Sequence, residues 1–255
     1  MRTADWTDSV SVLDRLTAVF EAFTEDDEGL GISELARRAN LPKSTVSRIS
    51  AELVAQRLLD REGDKLYLGV RLFELGQTVV EPRRLRRAAL PVMTDLRNMT
   101  GYTVNLAVLD VTDVVCIATV LGVPATPPVL RVGGRLPAHA TALGKAILAF
   151  SPPEAVHALA SDGVLGRRTP QTVGDLDALV QELGEARRLG TAVEREQCVV
   201  GRACVASPIM GRAGVPLAAI SVAGSVDDVE PERVIAAVHA AAMTLTRRVG
   251  AHRNP

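Results

Sequence analysis

The chain has 255 residues, of which 47% are hydrophobic, 23% charged and 3% aromatic, with a net charge of −1. That is ordinary globular composition, long enough for two domains that each bury a core, and it excludes a disordered or fibrous chain. Three cysteines (Cys116, Cys198, Cys204) give no even framework, and no CxxC or HxxxH spacing occurs, which argues against a disulfide scaffold, a metal site or a cofactor held by one. The opening MRTADWTDSV is no apolar signal segment, and no apolar run approaches the ~18–20 residues of a membrane span. A cytoplasmic protein without a membrane partner is the expectation.

The charge is unevenly spread. Residues 31–87 hold twelve Lys/Arg against seven acids, a net of +5 that leaves −6 elsewhere. A basic N-terminal third beside an acidic remainder suits a chain with one polyanion-binding end.

In chain order, Val10, Leu13, Leu16, Val19, Phe20 and Phe23 recur at spacings of three and four and predict an amphipathic helix over residues 9–24, broken by the acidic EDDEGLG. Ser33 is read as the N-cap of a second helix whose inward face is Leu35, Ala36 and Ala39. Asn40 and Leu41 turn the chain, and Pro42 suits the first turn of a third helix. There Val46, Ile49, Leu53 and Val54 form the buried stripe. Residues 58–61 and 65–68 flank Glu62-Gly63-Asp64 as a hairpin with Gly in its turn. A helix from 69 or 70 to 80 follows, then Pro82, the basic run RRLRR and a long helix to Met99 that Gly101 stops. This gives a DNA-binding domain over 1–69, a linker helix over 70–88 and a second domain over 89–255.

Helix, turn, helix and hairpin in that order describe a winged helix-turn-helix, which presents its second helix to the DNA major groove. Lys43, Ser44, Thr45, Ser47 and Arg48 lie outward near the start of that helix, where small polar side chains and free N–H groups approach bases and phosphates. Ser33 and Pro42, at the starts of the two helices, are counted in the same surface. Arg48 is suited to a bidentate contact with guanine, worth about 1–3 kcal/mol of base discrimination. Arg61 and Lys65 in the wing would reach a flanking phosphate or the minor groove. A polar helix face alone could be solvated surface; turn, stripe and wing together favour duplex DNA. RRLRR at 83–87 fits either a DNA-backbone contact or a solvated connector.

Beyond the linker the pattern changes. Residues 103–110, 114–121, 129–132, 202–210 and 218–224 read as strands, the last two around a turn at 212–216. Residues 141–150, 153–160, 175–189 and 230–249 read as helices. Mixed antiparallel strands with flanking helices make an α+β sensor-like domain rather than a Rossmann sheet.

The segment RLPAHATALGKAILAF (135–150), followed by Glu194-Arg195-Glu196 and GRACVASPIMGRAGVPLAAISVAGS, resembles the IclR family of bacterial transcriptional regulators, and the order of parts is also theirs. The resemblance covers residues 9–249. It implies a C-terminal domain of GAF/PAS-like shape that binds a small-molecule effector, a homodimer formed through the N-terminal domains, and a homotetramer as a further assembly. Carried over residue by residue, it points to the backbone amides of Ala142 and Leu143 and to Glu194, Cys204 and Ser221. Members with small oxo-acid effectors have a second Ser two residues after the first; here that position is Ala223, and Glu194 stands where those members have Asp. Thr141 would cap the 141–150 helix or donate to the ligand, and the N-terminus of that helix offers N–H groups to a carboxylate. Ser221 sits in an apolar strand and its hydroxyl needs a partner if buried. With only Tyr102 and Phe150 as aromatics after residue 75, the pocket should be aliphatic with a few polar anchors.

The expected function is a metabolite-responsive regulator of a pseudo-palindromic operator. An alternative is a redox-responsive regulator using Cys198 and Cys204, near each other in sequence, although only Arg202 flanks Cys204 with positive charge. Catalysis is not expected. Of His139, His157, His239 and His252 only His139 lies near a candidate nucleophile, with no orienting carboxylate evident, and it reads better as a structural hydrogen bond.

Overall fold

The computed structural model describes residues 11–24, 27–123, 129–160 and 163–251, with the side chain of Ala251 excepted. Residues 9 and 10 of the first predicted helix, residues 25 and 26 of its acidic break, and His252 lie outside the described residues. The chain separates into two compact units, Met1–Val80 and Glu81–Pro255. Among the described residues no helix is long and apolar enough to cross a membrane.

The first unit contains α1 (Val12–Glu21), β1 (Leu30–Gly31), α2 (Ile32–Arg38), α3 (Lys43–Ala55), β2 (Leu59–Glu62), β3 (Lys65–Leu68) and α4 (Val70–Gln77). α1 starts on a reciprocal cap: Ser11 Oγ accepts from the Asp14 amide, and the Asp14 carboxylate accepts from the Ser11 amide. Val19, Leu35, Val46, Leu59 and Leu66 are completely buried and tie the helices to the hairpin. β1 is too short to read from sequence, yet it pairs Leu30 with Leu66 and makes β3 the centre of a three-stranded sheet. That pairing overturns one expectation. It carries the extended chain through Gly31, so Gly31 rather than Ser33 occupies the N-cap of α2, and Ser33 is an exposed residue within the helix. Pro42 likewise sits one step earlier than predicted, at the N-cap of α3 with ψ of 138°.

The second unit opens with α5 (Val80–Thr100), which buries Leu85, Ala89, Val92, Met93 and Leu96 along one face and stops at Gly101, φ +77°. It continues through β4 (Thr103–Asp110), β5 (Asp113–Val120), β6 (Arg135–Pro137), a 3-10 turn (Ala138–Ala140), α6 (Ala142–Leu148), α7 (Pro153–His157), α8 (Leu176–Leu189), β7 (Ala192–Arg195), β8 (Arg202–Met210), β9 (Pro216–Ser225) and α9 (Pro231–Ala251). Six strands form one antiparallel sheet in the order β6-β5-β4-β9-β8-β7.

Alternation along the strands divides this unit into layers. Val104, Leu106, Val205, Ile209, Ile220 and Val222 pack with α5 and α9 on one face. Ala107, Ala206 and Ala219 pack with α6 and α8 on the other. The expected strand at 129–132 does not form. Instead Gly133 (φ +81°) and Gly134 pass along the edge of β5, where the Gly133 amide donates to the Cys116 carbonyl (2.8 Å) and the Cys116 amide to the Gly134 carbonyl (3.0 Å), and pairing resumes as β6. Only Gly takes that φ without strain, so the apolar run before it becomes a bend.

Candidate functional site

On the first unit, α3 buries Val46, Ile49 and Leu53 and turns Lys43, Ser44, Ser47 and Arg48 to the surface, with Thr45 half-buried. The turn before it closes through a Leu41 amide to Ala36 carbonyl bond of 3.1 Å and an Asn40 residue at φ +52°, a conformation Asn tolerates. α2 is braced from behind. Arg38 pairs with Asp27 and Glu34, both at 2.8 Å; it holds the Asp27 carboxyl down at about 2, and Arg37, with Arg38 second, holds the Glu34 carboxyl down at about 2. Arg61 is exposed on β2. Lys65, also exposed, lies on the central strand, and its ammonium donates to the Glu28 carbonyl (2.9 Å) rather than standing free in the wing.

On the second unit, strand register assembles a cavity. Thr103, Ala223, Cys204 and Glu194 are aligned across β4, β9, β8 and β7, one after another on the same face. Above that row the chain brings Thr141, Ala142 and Leu143 at the start of α6, with Val129, Leu130 and Leu136 closing one side and Cys198, Val199 and Arg202 the other. The cleft holds about 540 Å³ of empty space, mouth included. Its wall is mainly aliphatic with a few polar groups, the usual make-up of a small-molecule site.

Thr141 caps α6: its hydroxyl accepts from the Gly144 amide (3.1 Å) and donates to the Ala138 carbonyl (3.3 Å). The Ala142 and Leu143 amides precede the intrahelical ladder. Gly144 lets α6 press onto the 3-10 turn, where a Cβ would stand 2.1 Å from the Ala138 carbonyl oxygen. Neighbouring His139 is held structurally, its Nε2 donating to the Gly166 carbonyl at 2.8 Å.

Glu194 is nearly inaccessible, and burial pushes its carboxyl up from the usual carboxylate range, although Oε1 accepts from the Gln197 and Cys198 amides at 2.5 and 3.0 Å. Behind it lies a buried polar network absent from the sequence reading. Lys145 of α6 donates to Glu182 of α8 and to the Gln197 side-chain oxygen, and Gln197 Nε2 donates back to Glu182 at 3.2 Å. Thr169 and Thr172 then fasten the turn after β7, donating to the Glu196 and Gln197 carbonyls at 2.6 Å each. The motif lysine is therefore a strut between the cavity helix and the cavity turn.

The cavity brings together Thr141, Ala142, Leu143, Glu194 and Cys204 of the expected effector residues, but Ser221 is not on its wall. Ser221 lies on β9 between Ala219, packed into the α6 layer, and Ala223, which does line the cavity. It is fully buried, and its hydroxyl, near the Cys204 thiol, makes no hydrogen bond of ordinary geometry. Sequence reasoning missed Thr103, Asn105 and Arg202; period-two alternation from Cys204 would have found Arg202. Burial, then the Glu194 charge, pushes the Cys198 thiol up to about 11 and the Cys204 thiol up to about 12. A redox sensor needs the opposite shift. No His/Cys/Asp/Glu group suited to a metal ion occurs among the described residues.

Comparison with known proteins agrees with this architecture over both units. Residues 12–63 match the IclR helix-turn-helix domain, and residues 77–247 match the C-terminal domain of the bacterial transcriptional regulator IclR. The HTH-type transcriptional regulator XynR of Escherichia coli is 30% identical, with 94% of this chain and 98% of XynR covered. An IclR homolog from Microbacterium hydrocarbonoxydans, solved in complex with 4-hydroxybenzoate, is similar at a TM-score of 0.84 and 32% identity, covering 94% of this chain and 99% of that one. Thermotoga maritima IclR is similar at a TM-score of 0.74 and 29% identity, covering 93% and 98%. From residue 12 to residue 247, then, the chain belongs to the IclR family of bacterial transcriptional regulators, which are not enzymes.

Proposed function

We propose that this regulator binds a pseudo-palindromic operator through α3 and its wing, and that a small carboxylate in the C-terminal cavity modulates that binding. The observation that carries the reading is the cavity itself, built by strand register beneath α6 in a chain that aligns over 94% of its length with a homolog complexed with 4-hydroxybenzoate. Thr141, Ala142, Leu143, Glu194 and Cys204 would contact the ligand directly, and Ser221, in the row beneath the wall, would support Cys204 rather than touch the ligand. Ser33, Pro42, Lys43, Ser44, Thr45, Ser47, Arg48, Arg61 and Lys65 form the DNA surface, with Arg48 reading a base. A six-stranded sheet with helices on both faces and a ligand cavity on one supports a kinship with GAF/PAS-like sensors.

Residues 1–69 would serve as the reading head, 70–88 as connector and 89–255 as sensor. α4 leaves Val70, Phe73 and Leu75 at least half exposed, and such an apolar face supports a homodimer, with a tetramer as its further assembly. Two-fold symmetry places operator half-sites one helical turn or a multiple apart. A coupling of about 1–3 kcal/mol between the sites changes operator affinity some 5–150-fold. The test is Arg48→Ala in an operator-binding titration. We expect more than about a tenfold loss of affinity with ligand binding and melting temperature retained. Unchanged operator affinity would refute the orientation assigned to α3.

A further inference from the structure

We propose that Arg202 is the carboxylate anchor of the cavity, and that it selects a monoanionic acid whose other polar group donates a hydrogen bond to Glu194. The inference rests on the reading of this cavity as the effector site and specifies its ligand. Arg202 lies two residues before Cys204 on β8, so alternation sends it to the cavity face, and it lines the wall half-buried. Its backbone is pinned on both sides of the turn between β7 and β8: its amide donates to the Val199 carbonyl (3.2 Å), and its carbonyl accepts from the Glu196 amide (2.7 Å). The guanidinium therefore starts from a fixed point.

Among the described residues that line the cavity, Arg202 is the one formal cation. Lys145 is buried behind it and spent on Glu182 and Gln197. No described carboxylate pairs with Arg202, and the two acids around the β7–β8 turn are engaged by backbone amides. Glu194 Oε1 accepts from the Gln197 and Cys198 amides, and Glu196 Oε1 accepts from the Gly201 amide at 2.8 Å. An arginine with five planar donors and no anion, at the wall of an otherwise aliphatic cleft, is matched to a ligand carboxylate in bidentate geometry. Once a ligand closes the mouth, that pair gains strength from the loss of water around it.

Glu194 sets the second half of the specificity. It stands opposite Cys204 in the register, one step along the sheet from Arg202, and lines the same cavity. A second ligand carboxylate beside it would crowd two carboxylates into one buried corner, where both cannot be charged without cost, whereas a hydroxyl would find an acceptor. Carboxylate at one end and hydroxyl donor at the other describe a hydroxy acid of single charge.

The test is calorimetric titration of the full-length protein with 4-hydroxybenzoate, 4-hydroxybenzamide and benzoate, for wild type, Arg202→Gln and Arg202→Lys. Wild type should bind the acid at least about tenfold more tightly than its amide, and Arg202→Gln should reduce that preference to within about twofold. Arg202→Lys should retain part of it, and all three proteins should melt together, since no described residue pairs with the Arg202 side chain. Benzoate, lacking the hydroxyl, should bind more weakly than 4-hydroxybenzoate to wild type and to Arg202→Gln alike. If Arg202→Gln still prefers acid to amide, the anchor lies elsewhere and the inference fails while the effector reading stands. If wild type binds acid and amide equally, the cavity does not select charge and the inference fails alone. Binding of none of the three probes, with operator affinity unmoved by them, overturns both.

Discussion

Replacing Lys145 with methionine tests whether the motif lysine is a strut rather than a surface charge. Lys145 is 1% exposed, and its ammonium is shared between the Glu182 carboxylate and the Gln197 side-chain oxygen. Methionine keeps most of the apolar stem and deletes the charge, so the cavity helix stays packed while two partners lose their donor. Removing one member of a buried pair costs about 3–5 kcal/mol, because the other charge is left uncompensated. Glu182 keeps 33% of its side chain in water and recovers some hydration, so we expect about 2–4 kcal/mol. In a unit of this size that lowers the transition by about 5–15 °C. Differential scanning calorimetry is the assay, because the two units need not melt as one. Adding Glu182→Leu to the Lys145→Met protein removes the stranded carboxylate and should restore most of the loss. A single variant that melts within about 1 °C of wild type, or a double variant less stable than the single, would refute the strut.

Gly144→Ala should destabilise the second unit by about 1–3 kcal/mol or more in a urea melt, since the new Cβ meets backbone 2.1 Å away at Ala138 and cannot be relieved by a side-chain rotation. A wild-type midpoint would show that α6 has room to move. Glu194→Gln should preserve the bonds from the Gln197 and Cys198 amides while removing the buried anion. Burial raises the folded pKa above the unfolded 4.5, so the stability this group gives is complete below 4.5 and lost as pH rises through the folded value. The variant should therefore gain on wild type as pH rises from 4.5, and a gap that stays flat with pH would contradict the burial argument. Cys198 and Cys204, at about 11 and about 12, hold roughly one part in a thousand or less as thiolate at pH 8. Iodoacetamide should label them far more slowly in the folded than in the unfolded protein, and rapid labelling coupled to loss of operator binding would bring back a redox switch.

The parts of the molecule legible from sequence were those in which a single face carries the information. The stripe of α3 and the boundaries of β4 and β8 follow from periodicity alone. What escaped depends on pairing between distant segments. β1 has two residues and β6 three, too few for any pattern, and each exists only because β3 or β5 offers an open edge. Ser33 lost its capping role to Gly31 for the same reason. Lys145 has the sequence character of a solvated lysine, and nothing local foretells the carboxylate 37 residues on that buries it. Ser221 shows the limit of transferring a motif: the residue is where the pattern puts it, but the cavity wall passes through Ala223 instead.

Alternation in β8 and β9 also bears on how such a regulator can diverge. Val205, Ile220 and Val222 hold the sheet against its two long helices, while Arg202, Cys204 and Ala223 face the ligand space one residue away along the same strands. Odd and even positions thus answer to different demands. If the cavity is the effector site as proposed, a substitution at 202, 204 or 223 changes its lining at little expense to the core, whereas insertion of one residue exchanges the two faces and ruins both. Point replacement is therefore the open route to a new signal, and changes in strand length are closed to it.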